Sequence, residues 1–195
     1  MRGEPLDAET IVSATEEVLR RHGPEKTTVL DVARELGVSH GSVYRHFASK
    51  AALREAVIRR WLDRVRDELA TAAHAPGLPP AERLRALLTA MFATKWTKVR
   101  EDPELFATFQ ALAAEHSTVS SGHVEFLVAQ VRDIIIDGVA SGDFAAGEPD
   151  VLARAVLNAT SRFHDPTHAA EWHVPETEAN SAAVVSLILD GLRAR

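Results

Sequence analysis

The 195-residue sequence contains no cysteine, a single tyrosine and only 6% aromatic residues. The absence of cysteine excludes disulfides, thiolate nucleophiles and thiolate-bound zinc or iron–sulfur sites. Few aromatic residues together with abundant alanine favour helices over sheets. Hydrophobic residues make up 46% and charged residues 26% of the chain, which is the composition of a globular protein.

The sequence also lacks a long hydrophobic run. The longest strongly apolar stretch lies around 184–189 and is far shorter than the roughly 20 residues that a membrane-spanning helix needs. The first ten residues lack the apolar segment of a secretory signal. We therefore expect a soluble, cytoplasmic protein.

Charge is distributed unevenly along the chain, although the net charge is −6. Residues 34–66 carry eight Lys and Arg against three Asp and Glu, a net charge of +5, whereas residues 67–195 have a net charge of −8. A short basic segment on an acidic body can bind phosphate groups locally. A row of solvated helix faces produces the same pattern, so charge alone does not assign a function.

Apolar residues recur every three or four positions through most of the chain, which predicts an all-α fold of about nine helices. Thr28-x-x-Asp31 resembles a capping box, and Ser39 and Ser49 are suited to cap the next two helices. The first three predicted helices cover residues 7–22, 28–36 and 39–46. The fourth follows Ser49, has an apolar stripe from Leu53 to Leu69 and fades at 72–74. The others cover 81–100, a segment that Asp102 caps and Pro103 starts, 120–141, 149–164 and 176–192. The pairs Gly23-Pro24 and Asp165-Pro166 are expected to end helices.

Residues 28–47 read TVLDVARELGVSHGSVYRHF, which predicts two helices joined by a turn around Gly37-Val38-Ser39. This arrangement matches helix-turn-helix geometry. Val43 and Phe47 lie four residues apart and should anchor the second helix, so that the polar residues between and beside them point outward. A glycine turn between two helices also occurs in ordinary helical corners, so this geometry alone is weak evidence.

The combination of motifs is more specific, and it resembles the DNA-binding domain of the TetR family of transcriptional regulators. The matching residues span 7–58 and are Thr27-Thr28, Asp31-Val32-Ala33, Gly37-Val38-Ser39, Gly41-Ser42-Val43-Tyr44-Arg45-His46-Phe47 and Ser49-Lys50. The resemblance implies an N-terminal three-helix DNA-binding domain in residues 1–50. It also implies a larger helical ligand-binding and dimerisation domain in residues 51–195.

The same resemblance assigns DNA contacts residue by residue. The residues expected at phosphates are Thr28, Ser39, Tyr44, His46 and Lys50; those expected at base edges are His40, Gly41, Ser42 and Arg45. An arginine can bind guanine in a bidentate manner, which discriminates between bases by about 1–3 kcal/mol. The alternatives are that His46 only packs against Phe47 and that His40 only faces solvent.

A homodimer is implied as well, with two recognition helices in successive major grooves about 34–36 Å apart. The last two helices would form its interface. The candidate interface residues are Val151, Leu152, Ala155, Val156 and Ala159 on one helix and Ala183, Val184, Leu187, Ile188 and Leu192 on the other. Either stripe would also suit the core of a monomer.

An effector pocket is expected between helices 4 and 8. Its candidate apolar lining is Trp61, Met91, Phe92, Trp96, Phe106, Phe109 and Phe126, and its candidate polar residues are His123, Gln130, Asn158 and Arg162. This lining favours a hydrophobic or amphipathic small molecule, although each aromatic residue also suits an ordinary core.

These features predict a ligand-responsive DNA-binding regulator without a cofactor. Members of the family that it resembles are usually repressors, so we expect a repressor. An activator of the same fold is the alternative. The motifs of a nucleophile elbow, a P-loop and a dinucleotide site are missing from the sequence, so we do not expect an enzyme. A metal hydrolase would need the acidic and histidine residues of segment 164–173, namely His164, Asp165, His168, Glu171 and His173. A solvated loop is the preferred interpretation of that segment. A helical interaction module that does not bind DNA is the third alternative.

Overall fold

The computed structural model describes residues 6–115 and 117–194, and this part of the chain is built from α-helices without a named strand. Its helices are α1 (Ala8–Lys26), α2 (Val29–Leu36), α3 (His40–Tyr44), α4 (Lys50–Ala73), α5 (Pro80–Glu101), α6 (Pro103–Ala114), α7 (Thr118–Ser141), α8 (Pro149–His164) and α9 (Thr177–Leu192), with a short 3₁₀ helix at Pro166–Glu171. The all-α prediction is confirmed. Within the described ranges, no helix is both long and apolar enough to cross a membrane.

Two compact units divide the chain. Unit 1 combines the chain up to Asp63 with Arg100–Ser120, and unit 2 combines Arg64–Val99 with Ser121–Arg195. Unit 1 therefore holds the predicted helix-turn-helix together with α6. The domain boundary predicted after residue 50 does not coincide with the division into these two compact units. It divides a predicted DNA-binding domain from a predicted ligand-binding and dimerisation domain, and it stays a prediction.

Local backbone signals explain where the first helices begin and end. Thr28 and Asp31 form a reciprocal capping box at the start of α2, and Gly37 ends that helix in the left-handed conformation (φ 65°). The side-chain oxygens of Ser39 and Ser49 accept backbone N–H bonds from Ser42 and Ala52. Each cap satisfies donors that a helix N-terminus leaves open, and these cap predictions are confirmed.

The first helix extends beyond its predicted end at residue 22. Gly23 leaves helical geometry (φ 74°, ψ 169°), as the Gly23-Pro24 signal predicts, but a further helical stretch containing Pro24 continues to Lys26. Helix α3 ends at Tyr44, two residues earlier than predicted, and α7 begins at Thr118, two residues earlier than predicted.

Asp102 does not cap α6 with its side chain, contrary to the sequence-based prediction. Its carboxylate instead accepts a hydrogen bond from Arg20 Nε of α1 at 2.9 Å. In the bond to Arg20 both partners are charged, whereas a helix cap pairs the carboxylate with a neutral backbone amide. A second ion pair within unit 1 joins Arg54 of α4 to Glu115, directly after α6. These pairs attach α6 to the helices that carry the helix-turn-helix.

Two glycines of unit 2 give a matched test of packing. A Cβ added to Gly138 of α7 would collide with the ring of Phe144, whereas a Cβ added to Gly191 of α9 would meet no atom within 4 Å. We expect Gly138→Ala to lower the free energy of unfolding by about 1–3 kcal/mol, because overpacking forces the buried ring to move. Gly191→Ala should be neutral or stabilising by up to about 1 kcal/mol. Urea denaturation of both variants checks this, and equal effects would contradict the packing at Gly138.

Candidate nucleic-acid interface and effector site

A small hydrophobic cluster in unit 1 holds the helix-turn-helix together. Val32 and Ala33 of α2 and Val43 of α3 are buried in it, and Phe47 packs against it. The small side chain of Ala33 lets the two helices approach closely. Because Val43 is fixed inward, the neighbouring residues of α3 are turned toward solvent.

Most of the predicted DNA-contacting side chains lie on this outward surface. The exposed ones are Thr28, Ser39, His40, Tyr44, Arg45, His46 and Lys50; Gly41 is exposed as well and Ser42 is half-buried. Tyr44 is 45% exposed although it is aromatic, and its ring meets the His40 ring edge to face at 6.1 Å. The structure thus brings these residues together on α3 and at the start of α2 and α4. Their contacts with DNA stay a prediction.

A chain of hydrogen bonds orients Arg45. The Ser39 hydroxyl lies 2.9 Å from the Ser42 hydroxyl, and Arg45 Nη2 donates to Ser42 Oγ at 3.1 Å. An arginine has five N–H donors, so this bond leaves enough donors for a bidentate contact with guanine. The serines hold the guanidinium at the exposed end of α3.

Thr28 is already engaged within the capping box. Its hydroxyl donates to Asp31 Oδ2 at 2.6 Å, and its backbone N–H donates to the same oxygen at 3.0 Å. These bonds, the hydroxyl bond first, lower the pKa of the Asp31 carboxyl. A phosphate at Thr28 would have to compete with this carboxylate.

The predicted effector residues fall into two groups because they belong to different units. In unit 1, Trp61 packs on Phe109 with ring centroids 5.8 Å apart, and Phe109 meets Phe106 at 6.1 Å. All three are buried. Trp61 Nε1 is one of the buried polar atoms that have no hydrogen-bond partner among the described residues.

In unit 2, two polar side chains are buried among the other predicted effector residues. Lys95 of α5 is 3% exposed and His123 of α7 is 2% exposed, and Lys95 Nζ lies 3.3 Å from His123 Nε2. Met91 and Phe92 are buried beside them in the core of the unit, with Trp96 and Phe126 packed against that core. We refer to Lys95 and His123 as the buried Lys–His pair.

Burial and neighbouring charges shift the pKa values of both members of the buried Lys–His pair. Burial lowers the pKa of Lys95 from 10.5 to about 7, against the opposing effect of Asp165. Burial first, and then the charges of Lys95 and Arg66, hold the pKa of His123 well below its ordinary value. His123 is therefore neutral at neutral pH, and its Nε2 lies within hydrogen-bonding distance of Lys95 Nζ.

Lys95 was absent from the predicted site, although its signal was available. It follows Leu88 and Met91 at helical spacing and so falls on the buried face of α5. Lys95 is the cation within an otherwise apolar stripe of α5.

The lowered pKa of Lys95 predicts a pH-dependent gain in stability for Lys95→Met. Between about pH 7 and pH 10.5 the unfolded chain holds a proton that the folded chain has lost, so folding becomes more favourable as the pH rises. Below pH 7 both states hold the proton, and the full cost of the buried charge remains. We expect Lys95→Met to raise the unfolding free energy by about 1–4 kcal/mol at pH 6, with the gain shrinking toward pH 10.5.

Chemical denaturation at several pH values measures this difference. Lys98→Met removes the same charge from a half-buried position on the same helix and serves as the control. A gain from Lys95→Met that stayed constant from pH 6 to pH 10 would show that Lys95 keeps its proton in the fold.

The remaining polar candidates do not all join the buried Lys–His pair. Gln130 is half-buried on α7, seven residues from His123 and thus on the same helical stripe. Asn158 and Arg162 are exposed on α8, and Arg162 Nε donates to Glu171 at 2.7 Å. Arg162 also lines a surface groove of about 380 Å³ with Trp172 and other residues. A role in effector binding stays a prediction for all of these residues.

The predicted dimer residues of α8 and α9 form an incompletely covered apolar face. Val151 is 66% exposed and Leu187 is 72% exposed. Ala155, Ala159 and Ala183 are exposed, Leu152, Val184 and Ile188 are half-buried, and Val156 and Leu192 are buried in the core of unit 2. Exposed apolar surface of this kind marks association sites.

Four of the acidic and histidine residues of segment 164–173 are engaged with other groups: His164, Asp165, His168 and Glu171. His164 Nε2 lies 3.1 Å from the Leu157 carbonyl, and its ring stacks on Phe92. Glu171 is bonded to Arg162 and to His168, and Asp165 caps the 3₁₀ helix. Within residues 6–115 and 117–194, no group of three or more such side chains is placed to hold a metal ion.

Comparison with known proteins agrees with this architecture. The family model "Bacterial regulatory proteins, tetR family" matches residues 11–57. The model "Tetracyclin repressor-like, C-terminal domain" matches residues 80–185, which is more than half of the chain. The first match covers the helix-turn-helix and the second covers the buried Lys–His pair.

Individual relatives are distant. The chain is 30% identical over 128 residues to an uncharacterized HTH-type transcriptional regulator of Mycobacterium tuberculosis, covering 66% of this chain and 61% of that protein. It is 27% identical to the repressor KstR2 of Rhodococcus jostii, covering 98% of this chain and 90% of that protein. Unlike KstR2, the uncharacterized Mycobacterium tuberculosis regulator and other first relatives are matched over only part of their length. The chain spans about three fifths of that length or less.

Solved structures share the fold. A TetR transcription regulator from Haloarcula marismortui superposes with a TM-score of 0.72 at 22% identity, covering 95% of this chain and 97% of that chain. FadR from Bacillus subtilis in complex with stearoyl-CoA superposes with a TM-score of 0.66 at 16% identity, covering 96% and 100%. Both matches extend over the N-terminal and C-terminal helices. The chain belongs to the TetR family of bacterial regulatory proteins.

Proposed function

We propose that this protein is a sequence-specific DNA-binding repressor that a small apolar or amphipathic molecule releases from a palindromic operator. The observation that carries the proposal is the outward surface of α3, where Tyr44, Arg45 and His40 are exposed on a rigid, capped frame. Exposed aromatic and arginine side chains at this position suit contact with phosphates and base edges.

The charge of the segment supports this role. Residues 34–66 have a net charge of +5 within a chain of net charge −6. Basic side chains such as Lys50 would neutralise phosphates and release counterions, which makes binding salt-dependent. The acidic remainder of the chain would disfavour DNA elsewhere on the protein.

A homodimer would supply the two-fold symmetry that a palindromic operator requires. The apolar face of α8 and α9, with Val151 and Leu187 exposed, is the candidate interface. Pairing this face with its copy would remove it from water and would present two α3 helices to successive major grooves.

Trp96 Nε1 and Gln130 Oε1 of unit 2 are buried polar atoms without a hydrogen-bond partner among the described residues, and they support a response to a ligand. The relative KstR2 is named a repressor, and the neighbour FadR was solved with stearoyl-CoA, which supports repression and an effector with an apolar part. The effector would shift the dimer toward a state whose α3 helices no longer match the grooves. This shift cannot exceed the difference in its affinity for the two states.

Selection of bound fragments from genomic DNA by the purified protein tests the proposal. We expect enrichment of one two-fold symmetric sequence with half-sites about one helical turn apart. A reporter driven by that sequence should rise when the gene for this protein is deleted. A fall of the reporter would identify an activator, and failure to enrich any sequence would reject the regulator.

A further inference from the structure

Ser42 is the central member of a hydrogen-bonded chain of side chains on α3. Its Oγ lies 2.9 Å from Ser39 Oγ and accepts a hydrogen bond from Arg45 Nη2 at 3.1 Å. A serine hydroxyl offers one donor and two acceptor positions. Whichever of the two hydroxyls donates to the other, the Ser42 hydroxyl uses at least two of its three positions within the protein. Little of its hydrogen-bonding capacity is left for a DNA base.

The location of Ser42 agrees with a supporting role. Ser42 is half-buried, whereas Ser39 and Arg45 are exposed on either side of it. Ser42 and Arg45 lie three residues apart, which makes their side chains neighbours on the helix surface. The arginine side chain is the longer of the two and stands at the exposed end of α3. The serine therefore lies behind the guanidinium.

The partner of Arg45 is a neutral hydroxyl, which distinguishes it from other arginines of unit 1. Arg21 pairs with Glu35 at 2.7 Å, and Arg34 lies 3.5 Å from Asp31. In residues 6–115 and 117–194, the side-chain hydrogen bond of Arg45 goes to Ser42 and not to an acid. A carboxylate would also orient the arginine, but it would offset the positive charge and repel DNA phosphates. The Ser42 hydroxyl orients Arg45 and leaves its charge available.

We infer that Ser42 is a positioning residue through which Arg45 selects a guanine, and that Ser42 itself does not contact a base. The inference rests on the proposed DNA-binding function and replaces the base-edge contact that the family resemblance implies for Ser42. With Nη2 held by Ser42, the remaining N–H donors of the guanidinium meet O6 and N7 of the guanine. Holding the side chain in advance lowers the entropy lost when this contact forms.

A double-mutant cycle on DNA tests the inference. Ser42→Ala, Arg45→Ala and the double variant are titrated by fluorescence anisotropy with the operator selected from genomic DNA and with its single-base variants. We expect Ser42→Ala to lower discrimination about 2- to 10-fold, the effect of one hydrogen bond, at the same base pair that Arg45→Ala affects. The double variant should match Arg45→Ala, because Ser42 acts only through Arg45. The salt dependence of Ser42→Ala should equal that of the wild type, because no charge changes.

Ser49→Ala is the matched control. The Ser49 hydroxyl accepts the Ala52 N–H at the start of α4, so this variant removes a cap hydroxyl of the same unit that does not hold Arg45. It should keep the discrimination of the wild type. Three results would overturn the inference: full discrimination in Ser42→Ala, an equal loss of affinity for all sequences, or losses that add in the double variant because Ser42 contacts a base of its own.

Nuclear magnetic resonance of the full chain without DNA measures the positioning itself. The ¹⁵N signal of Arg45 Nε is assigned by its absence from the spectrum of Arg45→Ala. We expect its heteronuclear NOE to fall in Ser42→Ala and to stay unchanged in Ser49→Ala, because a released guanidinium moves faster. An unchanged NOE in Ser42→Ala would overturn the inference. These spectra contain no DNA, so they distinguish an Arg45 that Ser42 does not hold from a protein that prefers no DNA sequence, which would reject the proposed function.

Discussion

Replacing Arg45 with alanine is expected to weaken binding to the operator by about 5- to 150-fold, the effect of losing one bidentate base contact. The side chain stands exposed at the end of α3, and Ser42 holds it in place. Its loss should also relax discrimination at a single base pair in each half-site, because the other contacts are unchanged. Fluorescence anisotropy with the operator and with single-base variants of it measures both effects.

Two further substitutions serve as comparisons for Arg45→Ala. Arg21→Ala removes the same charge from α1 of the same unit, where the side chain pairs with Glu35, and it should bind as the wild type does. Lys50→Ala should weaken binding to all sequences alike and lower the slope of log K against log salt by about one. If Arg45→Ala bound as tightly and as selectively as the wild type, the prediction that Arg45 contacts a base would be wrong.

Replacing Leu187 with arginine is expected to convert the proposed dimer to monomers at micromolar concentration and to weaken operator binding by at least about 100-fold. Leu187 is 72% exposed in the single chain. The fold should therefore tolerate the substitution, while an interface would have to bury two unpaired charges. Sedimentation velocity and anisotropy on the same samples measure both consequences.

Leu78→Arg is the matched control, because Leu78 is 44% exposed in the segment between α4 and α5. It should leave both the dimer and DNA binding unchanged. Val151→Arg, on the other helix of the same face, should act as Leu187→Arg does. A Leu187→Arg protein that stayed dimeric would place the interface on another surface.

The helix-turn-helix could be predicted from sequence because its determinants are local. The capping box at Thr28, the left-handed Gly37 and the Ser39 cap each act within a few residues. Val43 fixes the rotation of α3, which in turn fixes the exposure of Tyr44 and Arg45. The inner and outer surfaces of this segment therefore follow from helical periodicity alone.

The burial of Lys95 follows from its helical spacing, but its contact with His123 could not be predicted, because the two residues lie 28 positions apart on different helices. The Arg20–Asp102 bond, which joins residues 82 positions apart, shows the same limitation. At Asp102 a short-range rule also competed with the tertiary contact. Asp102 precedes Pro103 and so matches a helix cap, but its carboxylate binds the arginine of α1.

Helix α8 carries predicted interface residues and predicted effector residues on one exposed face. Positions 151, 155, 158 and 162 follow one another every three or four residues, and all are exposed. Asn158 and Arg162 therefore share the outward face with Val151 rather than the buried face of Val156. The burial of the opposite face depends on packing within unit 2, which sequence spacing does not reveal.

We propose that α3 recognises a DNA sequence. Fluorescence anisotropy with the DNA that flanks the gene for this protein tests that claim. Wild type and Arg45→Ala are titrated at two salt concentrations, with scrambled DNA of equal length as the control. We predict tight, salt-sensitive binding of the wild type to the flanking DNA and a loss of that preference in Arg45→Ala. Equal, weak binding of both proteins to flanking, scrambled and genome-selected DNA would contradict the claim.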